Sequence, residues 1–297
     1  MTQEITTISP LFSTPYITIT EYKQAPTGTD VDDLVGGGTT AINDVELANE
    51  IARACSWIDS HCNQVLAATL DTDNFRGRIS RDGFLKVHPR YNPIVEVVSA
   101  SVGVQPNYMT SLDPTTAWIE PQSVLFPMTG VAGFFAAPIQ FSPPYTIGRE
   151  VLVSMTYVNG YANTLLASNA SVGASTLSVN DLTGFVPGQK FQVYDGADNE
   201  LLTVASSFTP AQAAGSLPLA APTSKAHSAG VSVSALPPAI KLAAIYMTNV
   251  LLKSRGNASV VMQGLSFTPT EILDKNPTVL SDYTAALNIL EPYRRIR

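Results

Sequence analysis

The sequence has little cysteine, histidine and formal charge, and each shortage excludes a class of protein. Its 297 residues include two cysteines and three histidines, and only 14% are charged. Cys55 and Cys62 fall seven residues apart in one predicted helix, about 10 Å along its axis, which is too far for a disulfide between them. A net charge of −7 disfavours broad nucleic-acid binding, because neutralising phosphates requires clustered lysine and arginine.

Long apolar runs are also missing. No run of about 18 apolar residues is present, and no charged segment followed by an apolar one opens the chain, so we expect neither a transmembrane span nor a signal peptide. We therefore expect no membrane contact, and folding in a cytoplasm. With 45% apolar residues, the chain has the composition of a packed globular protein of one large or two ordinary domains.

The most complete helix pattern lies in residues 236–256. Pro237 and Pro238 suit a first helical turn, Gly256 suits a left-handed C-cap, and apolar residues recur between them at three- and four-residue steps. Residues 44–68 carry a second apolar helical face. Neither face can remain in water, so we predict that the two helices pack together. The residues that we expect to meet are Ile51, Ile58, Met247 and Val250.

Strand patterns fill much of the remaining chain. Between residues 76 and 161, β-branched or aromatic runs are separated by proline, glycine and asparagine, which predicts mostly strands. Residues 16–20 predict a strand or extended arm, and residues 127–148 predict a long loop. A small all-β module, either a barrel or a sandwich, is predicted from five short strands. These strands span residues 176–179, 190–194, 200–205, 216–220 and 231–233.

These patterns together predict an α+β protein. Its parts are a small helical body with packed long helices, a β-rich middle region and an inserted all-β module. The corresponding divisions are an N-terminal arm and flexible loop over residues 1–43, a body over 44–161 and 235–297, and the inserted module over 162–234. A short final helix is expected over residues 278–290.

Catalytic and metal-binding motifs are absent from the sequence. His61, His88 and His227 fall in three different segments, and no His-x-x-x-His or Cys-x-x-Cys pair suggests a zinc site. No Gly-x-Ser-x-Gly turn positions a nucleophile, and the glycines at 36–38 lack the Lys-Ser/Thr of a phosphate loop. We therefore expect neither an enzyme nor a cofactor.

Two polar groups allow more than one interpretation. Asp195, Asp198 and Glu200 could ligate calcium, but their spacing lacks a full set of oxygen donors, and a charged hairpin turn is the alternative. His61 could act as a pH switch, although a lone helical histidine is more often a packed or surface residue.

Several motifs occur in an order that resembles a known family. Residues 157–161 read Tyr-Val-Asn-Gly-Tyr at a strand end, and residues 236–243 read Leu-Pro-Pro-x-Ile-Lys-x-Ala at a helix start. Residues 287–295 read Leu-x-x-Leu-x-Pro-Tyr-Arg-Arg. Earlier, residues 57–60 read Trp-Ile-Asp-Ser, and residues 84–99 read Phe-Leu-Lys-Val-x-Pro-x-x-x-Pro-Ile-Val-Glu-Val-Val-Ser. This order is similar to that of the head-tail connector or adaptor proteins of tailed bacteriophages.

The resemblance covers roughly residues 44–161 and 235–297. In the family, only a few residues separate the Gly-Tyr strand end from the Pro-initiated helix, so residues 162–235 depart from the pattern and mark an insertion. The resemblance implies a structural protein of the virion neck, present in the host cytoplasm during assembly. It implies a homo-oligomeric ring, of 12 copies in our expectation, beneath the portal protein. The ring would join the capsid to the next neck or tail component, and genomic DNA would pass through it without specific binding.

The resemblance also implies that the C-terminal segment binds the portal protein. We expect this segment to be mobile in the free protein and to become ordered on binding. Tyrosine and arginine are enriched at binding hot spots, which favours this role, whereas the alternative is that terminal arginines only keep the chain soluble. The candidate portal-binding residues are Leu290, Pro292, Tyr293, Arg294, Arg295 and Arg297.

Two other functions remain open from the sequence. One is a virion appendage whose β module binds carbohydrate or a host surface, and the other is an unrecognised enzyme. An appendage of this kind predicts an exposed row of aromatic side chains in the module. The module contains only four aromatic residues, Phe185, Phe191, Tyr194 and Phe208.

Overall fold

The computed structural model describes residues 14–106, 108–128, 150–254 and 277–295. Within these ranges the helices are α1 (Ile19–Gln24), α2 (Thr40–Cys62), α3 (Pro238–Ser254) and α4 (Pro277–Leu290). The first seven strands are β1 (Thr69–Ile79), β2 (Phe84–Val87), β3 (Ile94–Gln105), β4 (Tyr108–Leu112), β5 (Trp118–Glu120), β6 (Ser123–Pro127) and β7 (Glu150–Asn159). The remaining strands are β8 (Asn163–Leu165), β9 (Thr176–Val179), β10 (Lys190–Tyr194), β11 (Glu200–Thr203), β12 (Gly215–Pro218) and β13 (Ser232–Ser234).

The protein is mostly β, so the predicted α+β body of packed long helices is wrong. Seven strands form one curled antiparallel sheet, a half-barrel in the order β4-β3-β7-β1-β2-β6-β5, and two smaller sheets accompany it. Strand β1 accounts for much of the difference. We predicted strands only from residue 76 onward in this region, but β1 begins at Thr69, and ten of its 11 residues pair with β7, from Thr69 opposite Asn159 to Arg78 opposite Glu150.

The curled sheet has a core of its own. Val151, Val153, Met155 and Tyr157 alternate along β7 and are all buried on the inner face. Gly77 on β1 shows how tightly this interior is filled, because a Cβ atom there would lie 2.8 Å from a methyl carbon of Leu85. The sheet is therefore a packed unit rather than an addition to the helices.

Helices α2 and α3 share a second buried cluster. The four residues expected to meet, Ile51, Ile58, Met247 and Val250, all belong to it and are at most 2% exposed. This helical cluster lies beside the β structure and is not the main body of the fold. Helix α2 starts earlier than residue 44 and ends at Cys62, because Asn63 adopts the left-handed conformation (φ 55°) that stops a helix.

The segment of residues 14–24, here called the strap, is part of the helical cluster. We predicted a strand or an extended arm over residues 16–20, but helix α1 begins directly after Thr18. The reason is a capping box: the Glu21 amide donates to Thr18 Oγ1 (3.2 Å), and the Thr18 amide donates to Glu21 Oε2 (2.7 Å). Tyr16, Ile17 and Tyr22 are at most 1% exposed, so the strap is a structural element of the core.

The β module (residues 162–234) contains all five predicted strands, with shifts of up to two residues at their ends. Isolated bridges at Leu166–Val179 and Val204–Leu219 join the two small sheets into one closed ring of strands around a separate core. The module is entered through β8 and left through β13, and these two strands pair antiparallel.

Lys241 on α3 connects the module to the strap. Its Nζ donates to Tyr16 O (2.9 Å), Glu21 Oε1 (2.7 Å) and Ser232 Oγ (3.0 Å), and it lies 4.0 Å from the ring centroid of Tyr194. Its side chain is 5% exposed. A buried lysine with three oxygen partners and an aromatic face is well compensated, so it fixes the strap, α3 and the module together.

Gly184 provides a second contact between the module and the body. Its φ is +87°, and a Cβ atom there would lie 2.4 Å from the Cβ of Ala68. We expect the module to be dispensable for folding of the rest of the chain. That expectation stays a prediction, and a deletion would also remove the Lys241 and Gly184 contacts.

Some sequence predictions fall outside the described residues. These are most of the loop at 127–148 and the C-cap at Gly256. Among the helices that the structure describes, none is both long and apolar enough to cross a membrane.

Candidate docking surface

The predicted portal-binding segment begins at the end of α4. Leu290 is fully buried in the helical cluster, so it anchors the segment and is not accessible to a partner. A 3₁₀ turn, Glu291–Tyr293, follows, and it places Pro292 in solvent while Tyr293 packs partly against the cluster. Arg297 lies outside the described residues.

The segment after Leu290 is held against the end of α2. The Arg295 amide donates to Cys62 O (2.9 Å), and Asn63 Nδ2 donates to Arg295 O (3.2 Å). Gln64 Nε2 donates to Tyr293 O (3.2 Å). The mobility expected of this segment in the free protein stays a prediction, but hydrogen bonds hold its backbone up to Arg295. The physical reason is that the last carbonyls of a helix lack partners within the helix, and Arg295 supplies a donor to one of them.

A second loop brings an arginine and a tyrosine to the same place. Two guanidinium groups lie over the Tyr91 ring, with Arg295 Cζ 5.5 Å and Arg90 Cζ 6.0 Å from its centroid. The Arg90 amide donates to Asp73 Oδ2 (2.9 Å), and Tyr157 donates to the same oxygen (2.7 Å), which fixes this loop on the sheet. A hydrogen bond with Tyr91 raises the pKa of Arg90, so its guanidinium stays charged.

We call the group of Arg90, Tyr91, Tyr293, Arg294 and Arg295 the C-terminal surface. The side chains of Arg90 and Arg294 are 50% and 48% exposed, and each has one distant carboxylate at 3.9 Å, on Asp73 and Glu291 respectively. For Arg295, no carboxylate of the described residues lies within 4 Å. The surface is therefore locally positive on a chain with a net charge of −7. Arginine forks above aromatic rings suit the binding of carboxylates.

His61 and Trp57 border the C-terminal surface. Their rings stack with centroids 5.2 Å apart and planes 5° from parallel. Burial lowers the pKa of His61, and the nearby charge of Arg294 lowers it further. His61 is therefore a packed residue that is uncharged at neutral pH and that adds an aromatic face without charge.

The sequence analysis found only one side of the C-terminal surface. It missed Arg90 and Tyr91. It also missed Asn63 and Gln64, whose side chains donate hydrogen bonds to the backbone of the C-terminal segment. One pattern in the sequence could have indicated Arg90 and Tyr91. They lie between Pro89 and Pro93, and Tyr293-Arg294 follows Pro292, so an adjacent arginine and tyrosine occur beside proline in both places.

The possible calcium ligands are occupied within the module. Glu200 accepts hydrogen bonds from Ser224 N, Ser224 Oγ and Lys225 N, and it lies 3.0 Å from His227 Nε2. Although burial acts to raise it, these hydrogen bonds lower the pKa of Glu200 to about 2. In the part of the chain that the structure describes, no group of three or more His, Cys, Asp or Glu residues could hold a metal ion.

Comparisons with protein families, with curated proteins and with solved structures find no match to this chain. The functional argument therefore depends on two observations of the chain itself. These are the order of its motifs and the chemistry of the C-terminal surface.

Proposed function

We propose that this chain is a structural head-to-tail adaptor of a tailed-bacteriophage virion. It forms a ring beneath the portal protein, in about 12 copies as the resemblance implies, and connects the capsid to the next neck or tail component. Its place is the virion neck, and it is present in the host cytoplasm during assembly. It has no catalytic role in this proposal.

The C-terminal surface is the observation that carries the proposal. Three arginines and two tyrosines come from two distant parts of the chain that are both held at the C-terminal end of α2, and the sequence resemblance implies portal binding by that same C-terminal segment. Fixed residues lose little conformational freedom on binding, so each copy contributes more than a mobile tail would. Engagement of many copies around a ring multiplies the effective affinity.

The portal-binding role can be tested by charge reversal. We expect Arg294→Glu with Arg295→Glu to abolish attachment of the purified protein to portal-containing heads assembled without it, because both guanidinium groups are replaced by carboxylates. Arg81→Glu is the matched control, since Arg81 is exposed on the turn between β1 and β2 and has no ion pair among the described residues. Occupancy is measured by sedimentation and quantitative immunoblotting. If the doubly reversed variant attaches to the heads in the normal amount, the portal-binding role is contradicted.

The ring itself has a separate test. Particle images of the assembled protein should show central symmetry, and mass measurement gives the copy number. The net charge of −7 supports free passage of DNA, because a surface short of lysine and arginine has few phosphate contacts to offer. Binding of the purified ring to duplex DNA at physiological salt would contradict this part of the proposal.

The appendage alternative predicts an exposed row of aromatic side chains in the module. Phe185, Phe191 and Phe208 are buried in the module core, and Tyr194 is half-buried under Lys241. These four aromatic residues form no exposed row, so nothing in the module specifically favours carbohydrate binding.

A further inference from the structure

Asp59 on the last turn of α2 is a buried carboxyl with an incomplete set of partners. It is 6% exposed, and its Oδ1 accepts hydrogen bonds from the Tyr16 hydroxyl of the strap and from Leu66 N (3.3 Å). Its Oδ2 is buried and has no hydrogen-bond partner among the described residues. The Leu66 amide also donates to the Tyr16 hydroxyl (3.0 Å), so strap, helix end and following loop meet at one point.

The same short stretch of chain holds the C-terminal surface. Gln64 N donates to Asp59 O (3.1 Å), while the Gln64 side chain donates to Tyr293 O and accepts from Asn92 N (3.4 Å). Cys62 is three residues after Asp59, and its carbonyl oxygen accepts a hydrogen bond from the Arg295 amide. Residues 59–66 therefore connect the strap to Arg295: Tyr16 is hydrogen-bonded to Asp59 at one end, Arg295 is hydrogen-bonded to Cys62 at the other, and the last turn of α2 joins the two.

The geometry points to regulation of the C-terminal surface by the strap. While Tyr16 contacts Asp59, residues 59–66 are fixed, and Tyr293 and Arg295 keep their positions. When the strap leaves, this stretch loses its partner and the C-terminal surface loses its order. The meaning of this coupling for assembly rests on the proposed docking role, whereas the coupling itself is a property of the free protein.

Protonation of Asp59 should act on this coupling. Burial raises the pKa of Asp59 to about 7, although the hydrogen bonds from Tyr16 and Leu66 lower it. An unfolded or opened Asp59 has its ordinary pKa near 3.8. Opening is therefore hardest at low pH and becomes easier as the pH rises from about 4 to about 7. The titratable and charged groups around the site are Tyr16 on the strap, Cys55 and Cys62 on α2, Lys241 on α3, and Glu291 and Arg294 after α4.

Amide hydrogen exchange of the free protein tests the coupling. Tyr16→Phe removes one hydroxyl. At pH 8, where Asp59 is mostly ionised, we expect exchange at Leu66 and Arg295 to become faster by about tenfold or more, the effect of losing one hydrogen bond to a charged group. The reference amides are Ser80, bonded to Phe84 O in the sheet, and Ala235, bonded to Ala162 O beside the module. Tyr246→Phe is the matched control, because Tyr246 is a half-buried tyrosine of the same helical cluster.

The outcomes separate coupling from general destabilisation. Faster exchange at Leu66 and Arg295 with unchanged reference amides supports the inference, and faster exchange at Leu66 alone overturns it. If all four amides change equally, the pH dependence decides. After correction for intrinsic exchange, opening at Arg295 should increase by up to about a hundredfold from pH 5 to pH 8 in the natural protein. It should not change in Asp59→Asn, and an equal increase there overturns the inference. Portal binding is not involved in any of these readings.

Discussion

Lys241 offers the most direct test of how the strap, α3 and the module are held together. Lys241→Met keeps an unbranched side chain that still packs on the Tyr194 ring, but it removes one charge and three donors. Glu21, whose side chain is 12% exposed, then loses its ion-pair partner, and Tyr16 O and Ser232 Oγ each lose a donor. We therefore expect a large loss of stability.

The magnitude follows from the burial of the pair. Breaking a buried ion pair by removing one partner costs about 3–5 kcal/mol, because the remaining charge is uncompensated. Glu21→Gln combined with Lys241→Met removes that charge as well, and glutamine preserves the capping box of α1. We expect the double variant to recover about half of the loss, and so to be about 2 kcal/mol less stable than the natural protein.

Urea unfolding followed by Trp57 fluorescence gives the free energies. A Trp118→Phe background isolates the signal, because Trp118 is 67% exposed on β5 and Trp57 lies against the helical cluster. Lys253→Met is the matched control on the same helix. Its partner Asp282 lies at 3.3 Å, and its side chain is 22% exposed, so the expected loss is about 1 kcal/mol or less. The reasoning fails if Lys241→Met costs no more than this control, or if the double variant is no more stable than Lys241→Met.

Three further predictions concern Asp59, Gly184 and the cysteines. The pKa of Asp59 is raised on folding to about 7, so its favourable contribution is complete below about pH 4 and is lost as the pH rises to about 7. Asp59→Asn should therefore match the natural protein in urea unfolding at pH 4 and exceed it by up to about 4 kcal/mol at pH 8; a difference that does not vary with pH would contradict this. Gly184→Ala should cost about 2 kcal/mol or more, and more than Gly173→Ala, which has a similar φ of +83° but open space around it; equal losses would show that the contact with Ala68 is unimportant. Burial raises the pKa values of both cysteine thiols to about 12, so alkylation of the folded protein should be far slower than alkylation in urea, and rapid labelling without denaturant would refute the buried placement.

Local patterns in the sequence located the elements that carry their own start and stop signals. The helix predicted over residues 236–256 appears as Pro238–Ser254, where the prolines fit a first turn. The five module strands were found because glycine, proline and Asp-Gly turns separate short β-branched runs. These elements could be predicted because each signal lies within a few residues of the structure that it determines.

Elements that depend on distant partners were not predicted. Strand β1 is mostly polar, with Leu70, Phe75 and Ile79 as its large apolar residues, and it becomes a long strand through pairing with β7, some 80 residues away. The predicted α+β class was wrong partly because this pairing, which joins β1 to the seven-stranded sheet, was not predicted. The C-terminal surface escaped prediction for a similar reason, since Arg295 finds its acceptor only because α2 stops at Cys62. The contact of Tyr16 with Asp59 spans 43 residues, and no local pattern indicates it.

The pairing of β8 with β13 has a consequence for exchange of the module. The two strands are hydrogen-bonded neighbours, with Asn163 opposite Ser234, so the points where the chain enters and leaves the module are separated by about 5 Å, the spacing of adjacent strands. The module of some 70 residues therefore enters and leaves the rest of the fold at two adjacent points, as a tight hairpin turn would. A foreign domain whose termini are adjacent matches this spacing, and a graft would have to replace the contacts that the module makes with Lys241 and through Gly184. The site is therefore a natural attachment point for a label or a ligand-binding domain.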